Sequence, residues 1–266
     1  MSIQNTHTLN REWKYSGSPK EKLECSMKAV ILAGGFGKRL KPLTNDRPKP
    51  MIEVLGVPIL EWQIDWLHRH GINELVICVG YLRESVLKHI GSGKRFGVKV
   101  GYSVEEDPLG TGGALKNAAS LLSGDKFFAM NGDILTDLDP WKLADDVDSG
   151  HMGSIAAVPL NSPYGIIQIE NDLARGFREK PVLRDYWINA GVYCLSSKVI
   201  EMLPDSGNIE ASTMPELARD GKLRVTKYDN VNWRSIDTYK DIEEAEKQFE
   251  HLVPRKSEPS PSDDKE

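Results

Sequence analysis

Arg39, Lys41, Arg47 and Lys49 place four cations in one short stretch, and Pro42, Pro48 and Pro50 stand between and after them. Proline fixes φ and restricts the residue before it, so this spacing excludes a regular helix and predicts a stiff loop. Gly34, Gly35 and Gly37 come just before the cations. Glycines there let the backbone turn sharply and bring its N–H groups against a ligand. A stiff, cationic loop opened by glycines suits a polyphosphate, so the chemistry it points to is nucleotide binding.

Three further groups of residues could take part. Asn131-Gly132-Asp133 follows the apolar run Phe127 to Met130, and a carboxylate so placed can hold a hard cation that bridges phosphates. Read alone, it is more often an ordinary strand-end turn. Pro108-Leu109-Gly110-Thr111-Gly112-Gly113, preceded by Glu105-Glu106-Asp107, permits close backbone approach at what reads as a helix start. Phe177-Arg178-Glu179-Lys180-Pro181 and Ile188-Asn189-Ala190-Gly191-Val192-Tyr193 combine charge and amide, but an exposed ion pair and a buried asparagine bonded to backbone would look the same. The loop from Gly35 lacks the third glycine of a dinucleotide fingerprint, and no GxxxxGK[ST] loop occurs in the chain. The six histidines form no metal pattern, and His68 and His70 do not face each other on a helix.

The elements that must carry these groups can be read from periodicity. Val30, Ile31 and Leu32 form a continuous apolar run, which predicts a strand buried on both faces. Pro58 opens a helical run in which Leu60, Ile64 and Leu67 recur, with Gly71 placed to end it. Leu75 to Val79 reads as a second buried strand, 82–90 as a short helix and 98–104 as a strand. A helix from about Gly113 to Leu122 and a strand over Phe127 to Met130 follow. Such strand–helix repetition predicts a mostly parallel sheet covered on both faces. The segments 153–158, 166–170, 174–179 and 187–195 are strand-rich, so the sheet should become mixed there. Thr238 and Asp241 form a capping-box pattern for a last helix, with Ile242, Ala245, Phe249 and Leu252 on its buried stripe. The motifs then fall near the carboxyl ends of strands, where open α/β sheets bind ligands.

Composition sets the outer limits. With 266 residues, 39% hydrophobic and 27% charged, the chain is of globular type and can bury a sizeable core. The net charge of −5 argues against a general nucleic-acid binder, so the local cations should serve a small anion. Three cysteines, Cys25, Cys78 and Cys194, are odd in number and far apart, which suits a reducing cytoplasm. No apolar run approaches the roughly 20 residues that span a bilayer, and the polar N-terminal segment is no signal peptide. Residues 1–26 and 253–266 read as a disordered extension and a disordered tail, with one domain over 27–252.

Together, GGFGKRLKPLT and RPKP, the 109–113 loop, Asn131-Gly132-Asp133 and the 177–181 and 188–193 segments resemble the sugar-1-phosphate nucleotidylyltransferases, over essentially all of 27–250. The resemblance implies a Rossmann-like three-layer α/β sandwich with a mostly parallel, mixed central sheet, of the nucleotide-diphospho-sugar transferase type. It implies catalytic roles for Arg39, on the β- and γ-phosphates, and for Lys49, against the reacting α-phosphate. Nucleotide binding passes to Leu32, Ala33, Gly34, Gly35, Gly37, Lys38, Glu105, Gly110 and Thr111. Lys38 departs from the family, which usually has a small hydroxyl residue there. Sugar and sugar-phosphate binding passes to Gly165, Glu179, Lys180 and Asn189, and Mg²⁺ binding to Asp133 and Asp237.

The second metal position departs from the family's Trp-x-Asp-Ile-Gly-Thr. Aligned on Trp233, Ser235 falls at the ligand position and Asp237 at the glycine. Two readings stand: Asp237 reaches the metal, or it only supports the helix that follows. Asn208-Ile209-Glu210 and Met214-Pro215-Glu216-Leu217-Ala218 resemble mannose-1-phosphate guanylyltransferases, and the LGTGGAL loop also resembles heptose-1-phosphate guanylyltransferases. The expected reaction joins an NTP and a sugar 1-phosphate into an NDP-sugar and pyrophosphate, with GTP and mannose 1-phosphate as the leading pair. Heptose 1-phosphate, thymidylyl or uridylyl transfer to glucose 1-phosphate, and a silent NDP-sugar-binding regulator remain as alternatives. The expected partners are the two substrates, with neither nucleic acid nor membrane insertion, and with homo-oligomerisation left open.

Overall fold

A computed structural model of the chain describes residues 27–254. The expectations of disorder for 1–26 and for the tail from 255 onward lie outside these residues. Strand β1 (Lys28–Leu32) is the sheet's axis, paired in parallel with β4 (Glu74–Val79) on one side and β6 (Lys126–Asn131) on the other. Between β1 and β4 come two 3-10 turns, a short ribbon of β2 (Glu53–Val54) and β3 (Val57–Pro58), and helix α1 (Ile59–Arg69). Helix α2 (Arg83–Ile90) leads to β5 (Lys99–Val104), which pairs in parallel with β4. Helix α3 (Gly110–Asn117) precedes β6, which turns at Gly132 into β7 (Ile134–Thr136).

Helix α4 (Trp141–Asp148) and strand β8 (Gly153–Asn161) follow, then a separate antiparallel hairpin of β9 (Ile166–Glu170) and β10 (Leu173–Arg178). The long β11 (Val182–Ser196) runs antiparallel to both β6 and β8. Helix α5 (Thr213–Arg219), β12 (Leu223–Lys227), β13 (Trp233–Ser235) and α6 (Tyr239–Phe249) complete the chain. The seven-stranded sheet has the order β12-β8-β11-β6-β1-β4-β5. Its pairings are parallel except for the two made by β11, so the sheet is mostly parallel and mixed, as the resemblance implied.

The strands are apolar on both faces because both faces are covered. Ala29 and Ile31 point to a cluster that includes Leu60, Ile64 and Leu67 of α1, Val86 and Ile90 of α2, and Leu143 and Ala144 of α4. Val30 points to the opposite layer with Ala114 and Leu115 of α3 and Met214 and Leu217 of α5. This period-2 division of one continuous apolar run makes the three-layer sandwich. A third cluster packs Ala245 and Phe249 of α6 against Leu40, Ile52, Val54 and Trp62, anchoring the cationic loop from beneath.

The helix expected from about Gly113 to Leu122 begins at Gly110, and ends at Asn117 before a 3-10 turn over Ala119–Leu121. The glycines read as a turn form the first helical turn, because the N–H groups of Gly112 and Gly113 both donate to Gly207 O. The capping box of α6 is present in both directions, Thr238 to the Asp241 backbone and Asp241 back to Thr238. Among the described residues no helix is long and apolar enough to cross a membrane.

Candidate active site

The loop after β1 takes its shape from alternating exposure. Leu40 is fully buried in the third cluster, while its neighbours Lys38 and Arg39 face outward in a 3-10 turn. Gly37 opens that turn at φ +59, and a Cβ there would fall 2.9 Å from Thr44 Cγ2 and 3.0 Å from Lys49 Cβ. Only glycine gives both this conformation and this close approach. The buried Thr44 hydroxyl donates to Gly37 O, locking the loop. Pro48 then starts a second 3-10 turn, Lys49–Met51, that turns the lysine side chain inward.

The β6–β7 turn is equally tight. A Cβ on Gly132 would lie 2.4 Å from Leu32 O, so the turn can cross the end of β1 only as glycine. Gly132 N donates to Leu32 O, and Ile236 N donates to Asp133 O. Strand β13 lies antiparallel to β7 with Ser235 opposite Ile134. This register carries Asp237 to the side of Asp133.

The two carboxylates meet on one cation. Lys49 Nζ lies 2.6 Å from Asp133 Oδ2 and 2.9 Å from Asp237 Oδ1, and an Arg39 guanidinium nitrogen lies 2.9 Å from the same Asp237 oxygen. Ser235 Oγ donates to the other oxygen, Asp237 Oδ2, at 2.9 Å. Burial alone would raise the Asp237 pKa, but the bond to Lys49, the Lys49 charge, the Ser235 hydroxyl and Arg39 outweigh it and hold it below the usual value. Two oxygens of separate chain segments within bonding distance of one nitrogen form a donor pair suited to a hard divalent cation. Ser235, expected at a ligand position by alignment, supports Asp237 instead.

Arg39, Lys49, Asp133 and Asp237 line a cleft of about 300 Å³ with Leu32, Ala33, Gly35, Gly37, Lys38, Thr111 and Gly132. Glu105 sits beneath the glycine turn; a Cβ on Gly34 would lie 2.6 Å from its Oε1, and its Oε2 accepts from Leu109 N. Burial raises the Glu105 pKa, opposed by the Leu109 N–H. The first-turn donors of α3 are already used: Gly112 N and Gly113 N go to Gly207 O and Thr111 N to Asn208 Oδ1. Gly110, at φ +73, meets the same 207–208 loop and does not line the cleft.

Other expected residues form a second group. Gly165, just before β9, and Glu179 and Lys180, just after β10, flank the hairpin at its base, exposed and outside the cleft lining. Lys180 pairs with Glu179 at 3.7 Å. Asn189 is occupied at both ends of its amide, donating to Tyr193 Oη at 2.8 Å and accepting from Gly191 N at 2.8 Å. Tyr193 in turn donates to Glu210 Oε1, and Thr111 Oγ1 donates to Glu210 Oε2. A chain of side-chain bonds thus joins Asn189 to Thr111 at the cleft. Gln63 of α1 also enters the site, through the turn that carries Asp133, and sequence reasoning passed over it. The signal was there: a polar amide on the buried stripe of Leu60, Ile64 and Leu67. The two described cysteines are buried, and burial pushes each thiol up to about 12, so both are packing groups.

Comparison with known proteins identifies the family. A family model described as nucleotidyl transferase matches residues 28–251. The mannose-1-phosphate guanylyltransferase catalytic subunit beta of Dictyostelium discoideum is 36% identical over 226 residues, which is 81% of this chain and 62% of that protein. The mannose-1-phosphate guanyltransferase of Candida albicans is 39% identical over 230 residues, with the same shares of 81% and 62%. The chain therefore spans about three fifths of the length of these curated relatives. Among solved structures, HddC from Yersinia pseudotuberculosis superposes with a TM-score of 0.68 at 30% identity, over 84% of this chain and 99% of that one. Its complex with GMP-PN superposes with a TM-score of 0.65 over the same shares.

Proposed function

The chain belongs to the nucleotidyl transferase family, and from that premise we propose that it transfers guanylyl from GTP to mannose 1-phosphate, giving GDP-mannose and pyrophosphate. The observation that carries this reading is the shared hold of Asp133 and Asp237 on one cation beside the glycine loop. The names of the relatives from Dictyostelium and Candida support the choice of mannose and guanine, and the GMP-PN complex of HddC supports a guanine nucleotide.

In the reaction, an ionised oxygen of the sugar phosphate attacks the α-phosphorus. A new P–O bond forms as the bond to the β-phosphate oxygen breaks, and pyrophosphate leaves with that electron pair. No proton has to be removed, because the attacking oxygen is already charged at neutral pH. The barrier is to bring two polyanions together and to stabilise charge on the transferring and leaving phosphates, a task for positioning and electrostatics. Lys49 is assigned to the α-phosphate and Arg39 to the β- and γ-phosphates. The 34–37 turn and Lys38 are assigned to the triphosphate, and Glu105, beneath that turn, and Thr111 to the base side. Lys180 is assigned to the sugar phosphate, and Gly165, Glu179 and Asn189 to the sugar. That assignment requires the second substrate to reach from the cleft to the β9–β10 hairpin. A divalent cation held by Asp133 and Asp237, which we take to be Mg²⁺, supplies neutralising charge to the phosphates.

The test is pyrophosphate release by the full chain with Mg²⁺, across GTP, UTP and dTTP, each with mannose, glucose and heptose 1-phosphates. The expected maximum is GTP with mannose 1-phosphate. Turnover only with another pair would reassign the substrates, and binding of NDP-sugars without turnover by any pair would make the protein a regulator.

A further inference from the structure

Helix α1 buries one stripe, and that stripe contains an amide. Gln63 is 1% exposed among Leu60, Ile64 and Leu67. An unpaired amide in such a place is costly, and an apolar side chain of like size would be cheaper. Its nitrogen is used twice, donating to Asn131 O at 2.8 Å and to Ile134 O at 3.0 Å. Its oxygen, Oε1, has no hydrogen-bond partner among the described residues. The two donor bonds fix which end of the amide points at the turn, and they keep it on a face that otherwise rejects it.

The two carbonyls it holds bracket Gly132 and Asp133. Of the turn's two central residues, Gly132 has no side chain and Asp133 points to Lys49. Backbone bonds also tie it, Gly132 N to Leu32 O and Ile236 N to Asp133 O, and residues 131 and 134 are paired with Leu32 of β1 and Ser235 of β13. The position of the Asp133 carboxylate therefore depends on where Gln63 holds residues 131 and 134. Sub-ångström placement of a ligand carboxylate decides how well it shares a cation with its partner.

We propose that Gln63 is a positioning residue for Asp133, holding the β6–β7 turn so that the Asp133 and Asp237 carboxylates converge on one divalent cation. This rests on the reading that the pair holds a metal for the nucleotide. Gln63 touches neither substrate nor metal. Its loss should appear first in metal affinity and only through that in turnover.

The test uses the full chain, Mn²⁺ and GTP without sugar phosphate, so that no turnover occurs. Mn²⁺ held in the protein–GTP complex is read by water-proton relaxation. Gln63→Met, close in volume but without donors, should weaken Mn²⁺ in the complex by about 10-fold or more. Metal-free GTP binding in EDTA should change less than about 2-fold. Gln63→His keeps one N–H donor and should fall between the two. Ile64→Val, on the same buried stripe but without a bond to the turn, should leave Mn²⁺ affinity unchanged. Hydrogen exchange of the Gln63→Met protein should quicken over residues 131–136 and not over β1, which identifies a loosened turn even at reduced stability. Equal Mn²⁺ affinity in Gln63→Met and wild type, or an equal loss in Ile64→Val, would overturn the positioning role. Failure of the wild type to hold Mn²⁺ with GTP would instead overturn the reading of the cleft.

Discussion

Lys49 Nζ lies 2.9 Å from Asp237 Oδ1, joining residues 188 positions apart. The same ammonium lies 2.6 Å from Asp133 Oδ2, so it occupies the space between the two carboxylates. Lys49→Met removes that charge while leaving most of the side-chain volume. Turnover should fall by about 10²–10³-fold, the usual loss when one charge-stabilising donor is removed. Mn²⁺ binding to the nucleotide-free protein should tighten, because the carboxylates lose the cation they share. Steady-state pyrophosphate release and Mn²⁺ titration by electron paramagnetic resonance report the two effects. Weaker Mn²⁺ binding in the variant would show that the lysine does not compete for the carboxylates.

Ser235 sets the far oxygen of Asp237 through a 2.9 Å hydrogen bond. Ser235→Ala should raise the Mg²⁺ concentration for half-maximal pyrophosphate release by about 10-fold, the scale on which outer-shell partners act. Maximal rate at saturating Mg²⁺ should change little, since Ser235 bonds Oδ2 alone and the near oxygen, Oδ1, keeps its place without it. An unchanged Mg²⁺ curve would mean that the hydroxyl plays no part in orienting the carboxylate.

Much of this arrangement was legible from local pattern. The run at Val30–Leu32 reads as a doubly buried strand because both of its faces are covered, and Thr238 with Asp241 reads as a cap because both partners lie within one turn. What stayed hidden depends on pairings between distant segments. Two readings of Asp237 stood because its reach is set by the register of β13 on β7, with Ser235 opposite Ile134. The start of α3 was misplaced because its first N–H groups are met by Gly207, far along the chain. Gln63 was passed over, since its partners are carbonyls 68 and 71 residues away.

Tyr193 offers a test of the link between the two substrate regions. Its hydroxyl accepts from Asn189 Nδ2 and donates to Glu210 Oε1, and Glu210 Oε2 accepts from Thr111 Oγ1 at 2.6 Å. Burial first, and the Glu210 charge second, push its pKa above the ordinary value, so it remains a neutral donor at working pH. Tyr193→Phe leaves Asn189 Nδ2 and Glu210 Oε1 without the hydroxyl they share, which should cost about 1–3 kcal/mol of stability in urea unfolding. Both substrates' KM values should rise together while kcat holds. A rise in one alone would show that the chain of bonds does not couple Thr111 to Asn189.

Gly132→Ala puts a Cβ 2.4 Å from Leu32 O, where backbone meets backbone and neither can give easily. Overpacking of this kind costs about 1–3 kcal/mol, and relief requires the turn to move away from β1. Because Asp133 moves with it, metal-dependent activity should fall further than the change in melting temperature alone would explain. Full activity at a lowered melting temperature would indicate that the turn tolerates the shift without moving the carboxylate.

Glu105 should make stability depend on pH in a direction opposite to a salt-bridged carboxylate. Burial raises its folded-state pKa above the ordinary 4.5, with the Leu109 N–H opposing. Between the unfolded and folded values the native protein binds more protons than the unfolded chain, so stability falls as pH rises through that window. The penalty is absent well below 4.5 and complete above the folded value. Glu105→Gln keeps an oxygen for Leu109 N and removes the charge, so its advantage over wild type should grow from acid to neutral pH. Urea unfolding of both proteins at pH 4 and pH 8 measures this as a double difference, in which other titrating groups cancel. A constant offset at the two pH values would mean that the carboxylate keeps its ordinary affinity for protons beneath the glycine turn.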